Sequence, residues 1–103
     1  MRGPTWRLVV WLALFAALRA AAAQDLENGR RLAERWCAAC HQIDANPGRF
    51  RRAPPFAAIA AKDDVTAETI AAFLLLPHAT MPNLPLSRKD AADLAAVIMA
   101  TRK

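Results

Sequence analysis

The chain has 103 residues, with 14 basic and 9 acidic side chains and a formal net charge of +5 at pH 7. Three of the basic residues lie within the first 19 positions, so the remainder of the chain carries only +2. This charge gives little support for a nucleic-acid-binding protein, and the length predicts one small domain whose core is marginal without reinforcement.

The N-terminal residues 1–23 have the pattern of a cleaved secretory signal peptide. Two arginines precede an apolar stretch of 11 residues, 8–18, and a run of four alanines ends the segment. A basic start, an apolar centre and a small-residue cleavage site define such peptides, whereas the alternative, an uncleaved membrane anchor, needs about 20 apolar residues. We predict cleavage before Gln24, a periplasmic protein, and a single mature domain of residues 24–103.

The first helix of the mature domain is predicted over residues 25–36 and runs into a Cys-Ala-Ala-Cys-His sequence. Cys37 and Cys40 are spaced so that both thiols reach one side of a helical turn, and His41 follows directly. This is the attachment signature of c-type haem, in which each thiol adds to a haem vinyl group and the imidazole binds iron. We predict one covalent haem c, which also reinforces the small core.

Residues 42–61 are predicted to form a loop and then a short helical segment. Two prolines open the apolar stretch 56–61, which has room for one or two helical turns. Three arginines precede these prolines: Arg49, Arg51 and Arg52. Three interpretations of this basic cluster stay open, namely a docking patch, a site that neutralises haem propionates, and a solvated loop.

Two further helices are predicted in the C-terminal half of the chain. Thr66 is suited to be the N-cap of a helix over residues 67–76, which a proline ends. Ser87 and Asp90 resemble a capping box that starts a last helix, which continues to about Thr101. No stretch shows the alternating pattern of a strand, so we predict an all-α fold.

The haem iron needs a second axial ligand, and the proline-rich loop before the last helix offers two candidates. Met81 lies 40 residues beyond His41, between prolines that favour a fixed loop conformation. Its thioether stabilises ferrous iron and raises the reduction potential. His78 lies three residues earlier, and ligation by two histidines would lower the potential. We predict Met81 as the ligand and keep His78 as the alternative.

Together these features resemble a small bacterial monohaem class I c-type cytochrome. The resemblance spans nearly all of residues 24–103 and rests on five features: Gly29 in the first helix, the Cys-Ala-Ala-Cys-His sequence, Ala53-Pro54-Pro55-Phe56, Met81-Pro82 and the final helix. It implies about four short helices wrapped around one haem. It also implies that the carbonyl of Pro54 accepts a hydrogen bond from Nδ1 of His41, which makes Pro54 part of the cofactor site.

The same resemblance implies that the first and last helices cross at a small residue. Gly29 occupies that place, and Leu94 or Ile98 is its expected partner. Val97 stands where the family often has an aromatic residue, so the crossing is expected to be looser or to be filled by Trp36.

Function is predicted from the filled axial positions and from the lack of a candidate base or nucleophile. We expect an electron carrier and not an enzyme, acting by outer-sphere transfer through a haem edge near Cys37 and Cys40. Its expected partners are periplasmic or membrane-bound redox proteins that bind transiently, with no nucleic acid and no small-molecule substrate, and we expect a monomer.

Three other function classes stay open. A haem ligand sensor or a peroxidase-like subunit would have a labile or His78-ligated sixth position. A thiol oxidoreductase would use the Cys37 and Cys40 pair, but it belongs in an α/β fold. A zinc module would need further ligands at a spacing that this chain lacks.

Overall fold

The computed structural model of the chain describes residues 3–44, 52–76 and 80–103. Within these ranges the chain is helical and has no strand, which confirms the predicted all-α class. The elements in chain order are helix α1 (Pro4–Leu32), a π-helical turn (Ala33–Cys37), helix α2 (Phe56–Ala60), helix α3 (Ala67–Leu75) and helix α4 (Arg88–Ala100). Arg49, Arg51 and His78 lie outside the described residues.

Helix α1 begins at Pro4, not near Asp25 as predicted for the mature domain. Its first turn contains no acidic residue. The leader is rich in alanine, the residue with the highest helix propensity, and no residue that breaks helices separates it from the following segment. The predicted helix start is therefore wrong for the full chain, while cleavage before Gln24 stays a prediction. Among the described residues, no helix combines the length and the apolar character that crossing a membrane requires.

The N-caps of α3 and α4 are confirmed. The Thr66 hydroxyl accepts a hydrogen bond from the backbone N–H of Thr69 at 3.1 Å, and the Thr69 hydroxyl accepts one from the backbone N–H of Thr66 at 2.9 Å. Ser87 and Asp90 form the same reciprocal pair at 3.0 and 3.2 Å. Both helices end one residue before the predicted position, at Leu75 and Ala100.

The capping box of α4 predicts a loss of stability in acid. The hydrogen bond from the Ser87 backbone N–H, followed by that from the Asn28 amide, lowers the pKa of Asp90 below its usual value. The unfolded chain then binds the proton more tightly, so this stabilisation is present above about pH 4 and is lost as the pH falls through the lowered pKa. We expect Asp90→Asn to lower the urea midpoint at pH 7 and to differ less from the wild type at pH 3. An equal difference at both pH values would contradict this.

Helix α4 lies at the centre of the fold and packs against α1, α2 and α3. Its buried face consists of Ala91, Asp93, Leu94, Ala95, Val97 and Ile98. The largest fully buried side chains are Phe56 and Leu94. Because α4 contacts every other α-helix, its rotation and register decide which side chains form the core.

Helices α1 and α4 cross closely at Gly29, but the predicted partners are wrong. A Cβ atom on Gly29 would lie 2.6 Å from Val97 Cγ2 and closer still to the carbonyl oxygen of Asp93. Asp93 and Val97 share one face of α4, whereas Leu94 and Ile98 lie on the neighbouring face. The crossing is tight because Gly29 has no side chain to separate the two backbones, and Trp36 remains 36% exposed.

Candidate functional site

The Cys-Ala-Ala-Cys-His sequence begins at the end of the π-helical turn. The N–H of Ala38 donates to the carbonyl oxygen of Ala33 at 3.0 Å, and the N–H groups of Cys40 and His41 both donate to the carbonyl oxygen of Cys37, at 3.1 and 2.9 Å. These bonds coil the segment so that the two thiols and the imidazole face a common space.

That space is a cavity of about 820 Å³. It lies between α2, α3 and α4 and the loops that join α2 to α3 and α3 to α4. All five site residues predicted from the sequence line it: Cys37, Cys40, His41, Pro54 and Met81. Met81 is half-buried. The alternative ligand His78 lies outside the described residues.

The cavity wall is mostly apolar. Its aliphatic and aromatic side chains come from three helices and the loop after α2: Phe56, Ile59, Val65, Ile70, Phe73, Leu74, Leu94 and Ile98. Charged lining residues are fewer, namely Arg52, Lys62 and Asp64. Arg52 is thus the one described member of the arginine cluster, and it borders the cavity. Apolar walls with a few polar groups, and volumes of roughly 300–1,000 Å³, are typical of cofactor sites.

His41 is held in a defined orientation. Its Nδ1 lies 2.6 Å from the carbonyl oxygen of Pro54, and because a carbonyl only accepts, Nδ1 carries the proton. This leaves Nε2 as the nitrogen that is able to bind a metal. The ring also packs against Phe56, with 5.6 Å between ring centroids.

Backbone hydrogen bonds fix the segment that positions the Pro54 carbonyl. The N–H of Ala53 donates to the carbonyl oxygen of Cys40 at 3.2 Å, and the N–H of Phe56 donates to that of Gln42 at 2.9 Å. Sequence reasoning missed Phe56 as a neighbour of the His41 ring. The sequence does hold a signal for this neighbour: Phe56 is an aromatic residue directly after two prolines. In the structure it is buried and begins α2.

The electrostatics of Cys37 are unlike those of a reactive thiol. Burial raises the pKa of the Cys37 thiol to about 11. Thiol–disulfide exchange needs a thiolate, which catalytic Cys-x-x-Cys pairs obtain from a lowered pKa. Together with the absence of strands from the described residues, this argues against the thiol oxidoreductase.

The described part of the chain also offers no alternative metal site. None of its His, Cys, Asp and Glu side chains form a group of three or more that is able to hold an ion. The donor set in the cavity instead suits a haem: two thiols for thioether bonds, an imidazole held by a carbonyl, and a methionine sulfur.

Comparison with known proteins agrees with this geometry. Residues 24–98 match the family model described as cytochrome c oxidase, cbb3-type, subunit III. The chain is 44% identical over 93 residues to a protein named cytochrome c-552 from Bradyrhizobium diazoefficiens, and the match covers 88% of each chain. No solved structure matches the chain at a significant level.

Proposed function

The chain belongs to this cytochrome c family, as a small monohaem c-type cytochrome, and on that basis we propose a periplasmic electron carrier whose haem iron is bound axially by His41 and Met81. Covalent haem c is the cofactor of the family, and Cys37 and Cys40 are consistent with its attachment. When bound, the haem supplies one-electron redox chemistry.

The observation that carries the proposal is the convergence of Cys37, Cys40, His41 and Met81 on one apolar cavity. The Pro54 carbonyl orients the His41 imidazole through Nδ1 and increases its basicity as a ligand. Met81 supplies a soft sulfur donor, which favours the ferrous state and a higher potential. With His41 and Met81 both bound to the iron, no position would be open for a substrate, which favours a carrier over a sensor or a peroxidase.

The apolar wall supports the same role. Phe56, Leu94 and Ile98 are buried and give the cavity an apolar wall, which would limit the solvent reorganisation that accompanies a change in charge. Cys40 is only half-buried and Ala39 is exposed, so we propose that redox partners approach on this side. A brief encounter with a periplasmic or membrane-bound redox protein needs only a small interface.

The test is an optical and mass measurement on protein exported together with a haem-attachment system. We expect the mass of residues 24–103 plus one haem, a reversible one-electron couple, and in the ferric protein the weak red absorption band of sulfur ligation. As a control, the double variant Cys37→Ser/Cys40→Ser should carry no covalent haem. A wild-type protein without covalent haem would refute the proposal, and retention of residues 1–23 would refute the predicted cleavage.

A further inference from the structure

A polar cluster joins α1 to α4 beside the Gly29 crossing. The amide Nδ2 of Asn28 donates to Oδ2 of Asp93 at 2.6 Å and to Oδ1 of Asp90 at 3.3 Å. The ammonium group of Lys89 lies 2.7 Å from the same Oδ2 of Asp93. Asp93 is only 3% exposed, although Lys89 is largely exposed.

A carboxylate buried to this degree is unfavourable unless hydrogen bonds and an opposite charge compensate it. Lys89 lies one turn before Asp93 on the same helix, so their ion pair can form however α4 packs against α1. The Asn28 amide comes from α1 and reaches Asp93 only at the observed crossing. The contact between Asn28 and Asp93 therefore distinguishes this register of the two helices from its alternatives.

The register matters for the cavity because Asp93 is followed directly by Leu94. Leu94 and Ile98 form the α4 part of the cavity wall. Successive residues of an α-helix are rotated by about 100°, so a slip of α4 by one residue would turn both side chains away from the cavity.

We propose that Asn28 and Asp93 form a polar clamp that sets the register of α1 against α4 and thereby positions Leu94 and Ile98 against the haem. Both are positioning residues, since they act through the cavity wall. The proposal rests on the proposed haem function. It adds two residues outside the cavity that determine where the α4 part of the cavity wall lies.

The test uses the holoprotein and exchanges the two partners. Asn28→Asp places a carboxylate against Asp93 and Asp90, and Asp93→Asn removes the buried charge. The swap Asn28→Asp/Asp93→Asn restores one amide–carboxylate hydrogen bond across the crossing. We expect the unfolding equilibrium constant of the swap to be about tenfold smaller than the product of the two single effects predicts, because residues in contact are energetically coupled.

A purely structural contact would change stability alone, so the ferric sulfur-ligation band and the reduction potential are measured on the same samples. We expect both to shift in the single variants and to return towards wild-type values in the swap. Asn28→Ala, which leaves Lys89 beside Asp93, is the milder variant if the others give no holoprotein. Asp63→Asn on an exposed turn is the matched control, with no expected change in stability or in the sulfur-ligation band.

Two outcomes would overturn the clamp: additive stability effects in the swap, or an unchanged band and potential in variants that lose stability. Either result in a protein with covalent haem would leave the electron-carrier proposal intact. A wild-type protein without covalent haem would end both proposals.

Discussion

Replacing Gly29 by leucine is expected to abolish formation of the native holoprotein. Even the Cβ atom of alanine would lie 2.6 Å from Val97 Cγ2 and nearer to the Asp93 carbonyl oxygen. A backbone carbonyl within a helix has no rotamer to change, so α1 and α4 have to separate. For Gly29→Ala we expect a loss of about 1–3 kcal/mol, which is typical of overpacking. Because the shortest contact is with a backbone carbonyl, we expect a cost in the upper part of this range, above the gain of about 1 kcal/mol that alanine brings to a helix interior.

For Gly29→Leu the measurement is the yield of holoprotein relative to the wild type. For the other variants it is urea unfolding of the holoprotein, monitored by far-UV circular dichroism. Ala92→Leu adds similar bulk on the exposed face of α4 and should leave the midpoint nearly unchanged. Val97→Ala in the Gly29→Ala background relieves only the side-chain contact, so we expect partial rescue. A Gly29→Ala protein as stable as the wild type would show that the crossing is not close-packed.

Replacing Met81 by leucine is expected to remove the ferric sulfur-ligation band and to lower the reduction potential. Leucine keeps the apolar volume at the cavity but has no sulfur to bind iron. Axial ligands spread haem potentials over roughly 0.8 V, and we expect a decrease on the order of 0.1 V or more. Met99→Leu is the matched control, because Met99 packs against the core and its replacement by leucine conserves volume.

The ferric spectrum of the Met81→Leu protein also tests the alternative ligand. A high-spin spectrum with rapid cyanide binding would indicate an open position. A low-spin spectrum that becomes high-spin in Met81→Leu/His78→Ala would indicate that His78 replaces the lost sulfur. If the sulfur band survives in Met81→Leu, Met81 is not the ligand and the proposed axial pair is wrong.

The sequence by itself determined the features that depend on neighbours within a few positions. The Cys-Ala-Ala-Cys-His spacing indicated the cofactor, and the capping residues Thr66 and Ser87 marked the starts of α3 and α4. The absence of alternating apolar residues predicted an all-α fold, and the described residues contain no strand. Each of these signals is local: a cap is satisfied by a residue three positions away, and two thiols at this spacing meet within one helical turn.

Only the tertiary structure decided how the helices meet. The partners of Gly29 were predicted one residue away from the observed ones, because two adjacent faces of α4, one with Leu94 and Ile98 and the other with Asp93 and Val97, are both buried and differ by about 100°. The contact between Asn28 and Asp93 joins positions 65 residues apart, and neither residue carries a local signal for it. A helix crossing is chosen by the packing of whole surfaces and by the compensation of buried charge, and these depend on residues that are distant in the chain.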